Sequence, residues 1–184
     1  MEKHKVTFSA EEIKRIKHRR RKRSWVATVI FRMTGILVAI AVLVVVSAFV
    51  FFPIVKISGS SVSASYDSGD VVVLMKDLNV KRGQFCCIKW QNKLLFKRIV
   101  AVGGDTVDID TNGNVFVNGV HIEEDYVVDR ELGQCDIELP YLVPEGELFV
   151  MSDIRSDYSD SRCSAIGCVG EDQILGLVLG KIWS

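Results

Sequence analysis

Charge is missing from Met33 to Val55, where the chain reads MTGILVAIAVLVVVSAFVFFPIV. A helix buried in a soluble core is seldom so uniformly apolar, and about 20 such residues cross roughly 30 Å of hydrocarbon. Histidine is scarce: of three, His4 and His18 lie before this run and only His121 lies after it. Paired Cys-x-x-Cys spacing is absent, which speaks against a zinc site. Beyond the apolar run there is no amphipathic periodicity of the helical kind, and no internal repeat.

What is present is a strong asymmetry of charge hidden under a formal net charge of zero. The first 32 residues carry 11 Lys+Arg against 3 Asp+Glu, a net +8, and the remainder is net −8. The basic flank KRIKHRRRKR (14 to 23) precedes the apolar run. Basic residues concentrate on the cytoplasmic side of a span, so residues 1–32 are expected inside, 33–55 as a transmembrane helix, and 56–184 outside. Such a run of cations also suits nucleic acid, but beside a membrane span orientation and anionic lipid account for it, and no nucleic-acid partner is expected. A cleavable signal with a processing site at Val46-Ser47-Ala48 is the competing reading of the apolar run. Its length and its distance from the start favour an uncleaved anchor in the cell membrane.

Past the span the pattern changes to short runs of period two broken by turn signals. VVVLMK (71 to 76), QFCCIKW (84 to 90), KLLFKRIVAV (93 to 102), LFVMS (148 to 152) and ILGLVLGKIW (174 to 183) read as strands. NVFVNGVHI (114 to 122) places Asn118-Gly119 between apolar alternations, a strong hairpin signal. The fold class expected is therefore mainly β, antiparallel and barrel-like or layered, behind a single N-terminal transmembrane helix.

Five cysteines, Cys86, Cys87, Cys135, Cys163 and Cys168, fall in this outer region. An odd number leaves at least one thiol unpaired within the chain. Cys163 and Cys168 are near enough to staple a loop, and whether they do is left open. Cys86 and Cys87, adjacent on a strand, point to opposite faces and read as packing residues.

Lys97 interrupts the apolar strand LLFKRIVAV. A lysine at a sheet edge can snorkel to water; one held inside is destabilised as ammonium and becomes a base. With His121 the sole outer histidine, a Ser-His-Asp triad would rest on it alone, whereas a Ser-Lys pair needs only a dry lysine and a nearby hydroxyl. The serine-rich stretch KISGSSVSASYDSGD (56 to 70) supplies hydroxyls, and Gly59 permits the close backbone approach that brings amide N–H groups to an oxyanion.

Three ordered motifs carry a resemblance. Gly59-Ser60-Ser61-Val62, followed by Gly69-Asp70 and a valine run, resembles the nucleophile box of bacterial type I signal peptidases, Gly-x-Ser-Met-x-Pro-Thr. Phe96-Lys97-Arg98-Ile99-Val100 with Gly103-Gly104-Asp105 is similar to that family's lysine box. SDIRSDYSDSR (152 to 162) resembles its Gly-Asp-Asn-Arg…Ser-x-Asp-Ser-Arg segment. The resemblance implies a signal-peptidase-like β-rich catalytic domain and a membrane-anchored serine endopeptidase with Ser61 as nucleophile and Lys97 as general base. Its substrates would be exported precursors bearing signal peptides, and no cofactor or metal is implied. The N–H of Ser61 would serve the oxyanion, with Ser58 or Ser60 as a second donor where Gly59 stands in place of a hydroxyl residue. Asp153, Arg155, Asp160, Ser161 and Arg162 would be structural supports beside the lysine.

The departures are specific. Val62, Ala64 and Ser65 replace methionine, proline and threonine, and Ser152 and Ile154 replace glycine and asparagine. Tyr158 stands where many members have a serine that bonds the lysine, so Tyr158 or Ser159 is expected to take that part. These changes keep a second class open, a non-catalytic or narrowly specialised relative serving surface-protein assembly. A cytoplasmic self-cleaving Ser-Lys hydrolase conflicts with the expected topology.

Overall fold

The computed structural model describes residues 10–58, 66–76, 79–127 and 129–183. It divides into two compact units, Met1–Ala48 and Phe49–Ser184. The first is the greater part of a helix, α1, spanning Ala10–Phe51. Its segment Trp25–Phe51 is long and apolar enough to cross a membrane, and none of its most apolar stretch is buried by protein. At about 1.5 Å per residue that segment is roughly 40 Å long. It fits a membrane anchor.

The helix ends at Phe51, short of the expected Val55. Pro53 has no N–H to continue the ladder and drives Phe52 out of helical conformation. Ile54–Lys56 instead become strand β1.

The second unit is antiparallel β, as its alternating runs imply. After β1 come β2 (Val71–Met75), β3 (Phe85–Trp90), β4 (Lys93–Val102), β5 (Thr106–Ile109) and β6 (Val115–Val117). Then follow β7 (Val120–His121), β8 (Tyr141–Leu142), β9 (Glu147–Met151), β10 (Val169–Gly170) and β11 (Ile174–Trp183). A seven-stranded sheet runs β1-β2-β11-β3-β4-β9-β10, and a four-stranded sheet runs β7-β6-β5-β8. Both tight hairpins turn through positive φ: Gln91 at 52° between β3 and β4, and Asn118 and Gly119, residue types that tolerate it, at 52° and 77° between β6 and β7.

Period-two alternation sorts the large sheet into two apolar faces. Cys86, Ile88, Ile99, Leu148, Val150 and Leu177 pack on one. Phe85, Cys87 and Phe96 lie on the other with Ile57, Val72 and Leu74. Further along that sheet Phe149 and Met151 join Val107, Ile109, Val115 and Val117 of the small sheet in a third cluster. Cys86 and Cys87 thus serve opposite faces as packing residues. All five cysteines are free thiols, so Cys163 and Cys168 do not staple their loop.

Candidate active site

β4 sits between β3 and β9, and Lys97 is placed in its middle with Cys86 as its cross-strand partner. The side chain is 4% exposed. It is therefore not an edge lysine reaching for water. Among the described residues its hydrogen-bond acceptor is Asp157, whose Oδ2 lies 2.7 Å from Nζ. Neither Tyr158 nor Ser159 takes that part. Ser159 donates its backbone N–H to Asp157 Oδ1 at 3.1 Å, and Tyr158 lies against Gly133 and beneath the Arg162 guanidinium at 5.9 Å. Burial opposes the Asp157 carboxylate, but the Lys97 charge and hydrogen bond outweigh it and hold its pKa below the ordinary 3.8.

The segment after β9, which meets Lys97 through Asp157, is locked by charge pairs. Asp153 receives Nε and Nη2 of Arg98 at 2.8 and 2.6 Å. That guanidinium lies 3.9 Å from the centroid of the Tyr126 ring and 5.3 Å from that of Phe85. Arg155 donates to Glu124 Oε1 at 2.6 Å. Asp160 binds Arg162 at 2.8 Å and receives the Ser152 N–H at 2.9 Å. Ser161 Oγ accepts from Val150 N at 2.9 Å. Arg162 also donates to the carbonyls of Leu132, Arg155 and Asp157. Asp153, Arg155, Asp160, Ser161 and Arg162 are all buried, and buried ions hold their charge only when paired in this way.

The Gly103-Gly104-Asp105 turn after β4 has a physical basis. A Cβ at Gly103 would meet Gly146 N and Pro144 O at 2.9 Å, and Gly104 has φ +84°. Asp105 ties the turn down by accepting from Val102 N at 2.9 Å, Asn118 Nδ2 at 3.0 Å and the Arg82 guanidinium.

Ser60 and Ser61 lie outside the described residues. The chain on either side is anchored: Ile57 N donates to Asp70 O at 2.8 Å and Gly69 N to Ile57 O at 3.0 Å. Asp70 Oδ2 accepts from Asp67 N and Lys181 Nζ, both at 3.0 Å. Ile57 is buried in the cluster that contains Phe96, the residue before Lys97, and Tyr66 stacks on Phe85 at 5.3 Å. Ser58 is exposed. His121 is exposed and sits edge-on to Phe116 in the small sheet.

Sequence reasoning passed over Asp157, Glu124 and Tyr126. Asp157 had a signal, a carboxylate immediately before the position that should bond the lysine. Glu124 and Tyr126 had none, because the acidic run Glu123-Glu124-Asp125 followed by a phenol in a loop reads as solvated surface.

Comparison with known proteins follows the same residues. Residues 28–183 match the model of the family "Signal peptidase, peptidase S26". A "Signal peptidase I" of Bacillus amyloliquefaciens is 29% identical over 155 residues, 77% of this chain and 79% of that one. "Signal peptidase IB" of Staphylococcus aureus (strain N315) is 29% identical over 169 residues, 81% and 86% of the two chains. The crystal structure of a signal peptidase I from Enterococcus faecalis V583 aligns with a TM-score of 0.43 at 25% identity, covering 54% of this chain and 96% of that one. With the match running from within α1 through β11, this chain belongs to the signal peptidase family, peptidase S26.

Proposed function

We propose that this protein is a membrane-anchored serine endopeptidase that removes N-terminal signal peptides from exported precursors with a Ser61–Lys97 dyad. The observation that carries the proposal is Lys97, almost fully buried in the middle of β4 beside a segment held by three ion pairs. Such a site withholds water from an amine, and that is the first requirement of a lysine base. The signal peptidases of Bacillus and Staphylococcus support the substrate class. The apolar helix, with its basic flank before it, supports a cytoplasmic tail at 1–32, a single crossing, and a catalytic unit outside.

In this mechanism the neutral Lys97 amine takes the Ser61 hydroxyl proton as Oγ attacks the scissile carbonyl. Collapse of the tetrahedral intermediate breaks the C–N bond, the ammonium returns the proton to the departing amine, and the signal peptide remains as an ester on Ser61. Lys97 then takes a proton from water, hydroxide attacks the ester, and Oγ leaves reprotonated. The Ser61 N–H, with Ser58 or Ser60, would bind the oxyanion. Buried pairs around Asp153, Arg155, Asp160 and Arg162, with the Ser161 hydroxyl, would keep β4 and the loop in register.

The test is cleavage of a reporter precursor by membranes carrying the full chain. Ser61→Ala and Lys97→Ala should each abolish processing while the precursor still binds. Undiminished cleavage by either variant rejects that residue's role, and binding without turnover by the unaltered protein indicates a non-catalytic relative.

A further inference from the structure

Lys97 and Asp157 form an ion pair of unequal exposure. The lysine side chain is 4% exposed and the aspartate 39%. Solvent meets the aspartate side chain and scarcely the lysine's. The part-exposed Asp157 side chain borders solvent into which it can turn, whereas Lys97 lies between Leu95 and Ile99 on β4 and is almost wholly buried.

Among the described residues the surroundings leave this carboxylate as the lysine's counter-ion. On β4 the neighbouring Arg98 is taken by Asp153. Across on β3 stands Cys86, its thiol pushed up to about 12 by burial and by Cys87, so it is neutral and donates to the Lys97 carbonyl at 3.3 Å. Cys87, beside it, is kept neutral by burial alone and serves the opposite face. Beyond β9, Ser152 offers a hydroxyl that bonds Asp157 Oδ2 at 3.4 Å, and Asp160 is committed to Arg162. The Asp157 backbone is fixed, its N–H donating to Ile154 O at 3.0 Å and its carbonyl accepting from Arg162 at 3.0 Å. The main chain is held while the side chain retains a way out.

A base must be neutral to accept a proton, and an anion at 2.7 Å favours the charged amine. We propose that Asp157 is a counter-ion gate on Lys97, a positioning residue that holds the amine as ammonium in the unoccupied site and so sets the acid limb of the enzyme's pH–activity profile. This rests on the Ser61–Lys97 dyad proposed above. Activation releases one proton: Nζ hands it along the 2.7 Å hydrogen bond to the Asp157 carboxylate, which gives it up to solvent, and the pair passes from net zero to net −1. The carboxylate then turns outward as a peptide strand covers the amine.

The experiment uses the full chain in detergent micelles and a fluorogenic peptide spanning a signal-peptide cleavage site. kcat/KM is measured against pH for the unaltered protein, Asp157→Asn, Asp157→Ser and Asp157→Glu. In parallel the ε-carbon resonance of Lys97 is followed through a pH titration by NMR. Removing the anion should move both the acid limb and the resonance change to lower pH by about one unit or more, a gain of tenfold or more in kcat/KM on the limb. Asp157→Glu should restore the original profile. An unchanged or raised NMR midpoint in Asp157→Asn and Asp157→Ser overturns the gate, as does a loss of kcat at every pH with the limb in place. Failure of the dyad itself shows differently: Lys97→Ala would remain active, while the resonance still decides whether Asp157 controls the amine's charge.

Discussion

Arg155 and Glu124 face each other at 2.6 Å with side chains only 1% and 2% exposed. Tyr126 adds its hydroxyl to the same Glu124 Oε1 at 2.8 Å, and the desolvated phenol is held well above its ordinary pKa by burial first and by the carboxylate second. The pair ties the loop at 124–126 to the segment behind Lys97.

Breaking this pair from one side leaves a buried charge without its counter-ion. Glu124→Leu or Arg155→Met alone should destabilise the outer unit by about 3–5 kcal/mol, while the double variant should recover most of the loss. Urea unfolding of the full chain in micelles measures it. Equal stability of the single variants and the parent would show that the pair contributes nothing.

Asp105 offers a pH test. Burial pushes its carboxyl up, but the Val102 N–H, the Asn118 amide and the Arg82 guanidinium together outweigh burial and hold its pKa below 3.8. A group depressed on folding contributes stability above its unfolded value and loses that contribution as pH falls through the folded one. Asp105→Asn should therefore cost about 1–3 kcal/mol at pH 7. The gap between the two proteins should narrow steadily below about pH 4. A gap of the same size at pH 2 would assign the effect to shape and not to charge.

The thiols give a chemical count. Burial pushes Cys86 and Cys87 up to about 12 and Cys168 up to about 11. At pH 8 in native conditions Cys86 and Cys87 should resist alkylation, since the thiolate is the reactive form. In denaturant without reductant all five should react. Three reactive thiols would reveal a bridge.

Much of the architecture was readable in advance because it depends on periodicity. Alternation within VVVLM, FCCIKW and KLLFKRIVAV marked β2, β3 and β4, and Asn118-Gly119 marked the hairpin between β6 and β7. The strands not foreseen, β1, β5, β8 and β10, have two to four residues each. The pairing of β8 and β10 comes from strands far along the chain, as when Tyr141 pairs with Val107 and Val169 with Leu148. The end of α1 was misjudged because hydropathy does not register the missing N–H of Pro53.

The site divides in the same way. Lys97 stood out by itself, a cation in an apolar strand, and the acids and arginines of 152–162 stood out as a charged cluster. Which acid meets which base was not decided locally. Asp153 pairs with Arg98, Arg155 with Glu124, and Asp157 with Lys97, across 55, 31 and 60 positions of sequence.

By itself, then, the order of residues determined an apolar helix, a set of alternating strands and a lysine among aliphatic neighbours, since each follows from local pattern and solvent preference. Only the folded chain decided that this lysine is sealed from water and that its partner is the carboxylate of Asp157. Burial and ion pairing depend on distances in space, set when β3, β4 and β9 close into one sheet.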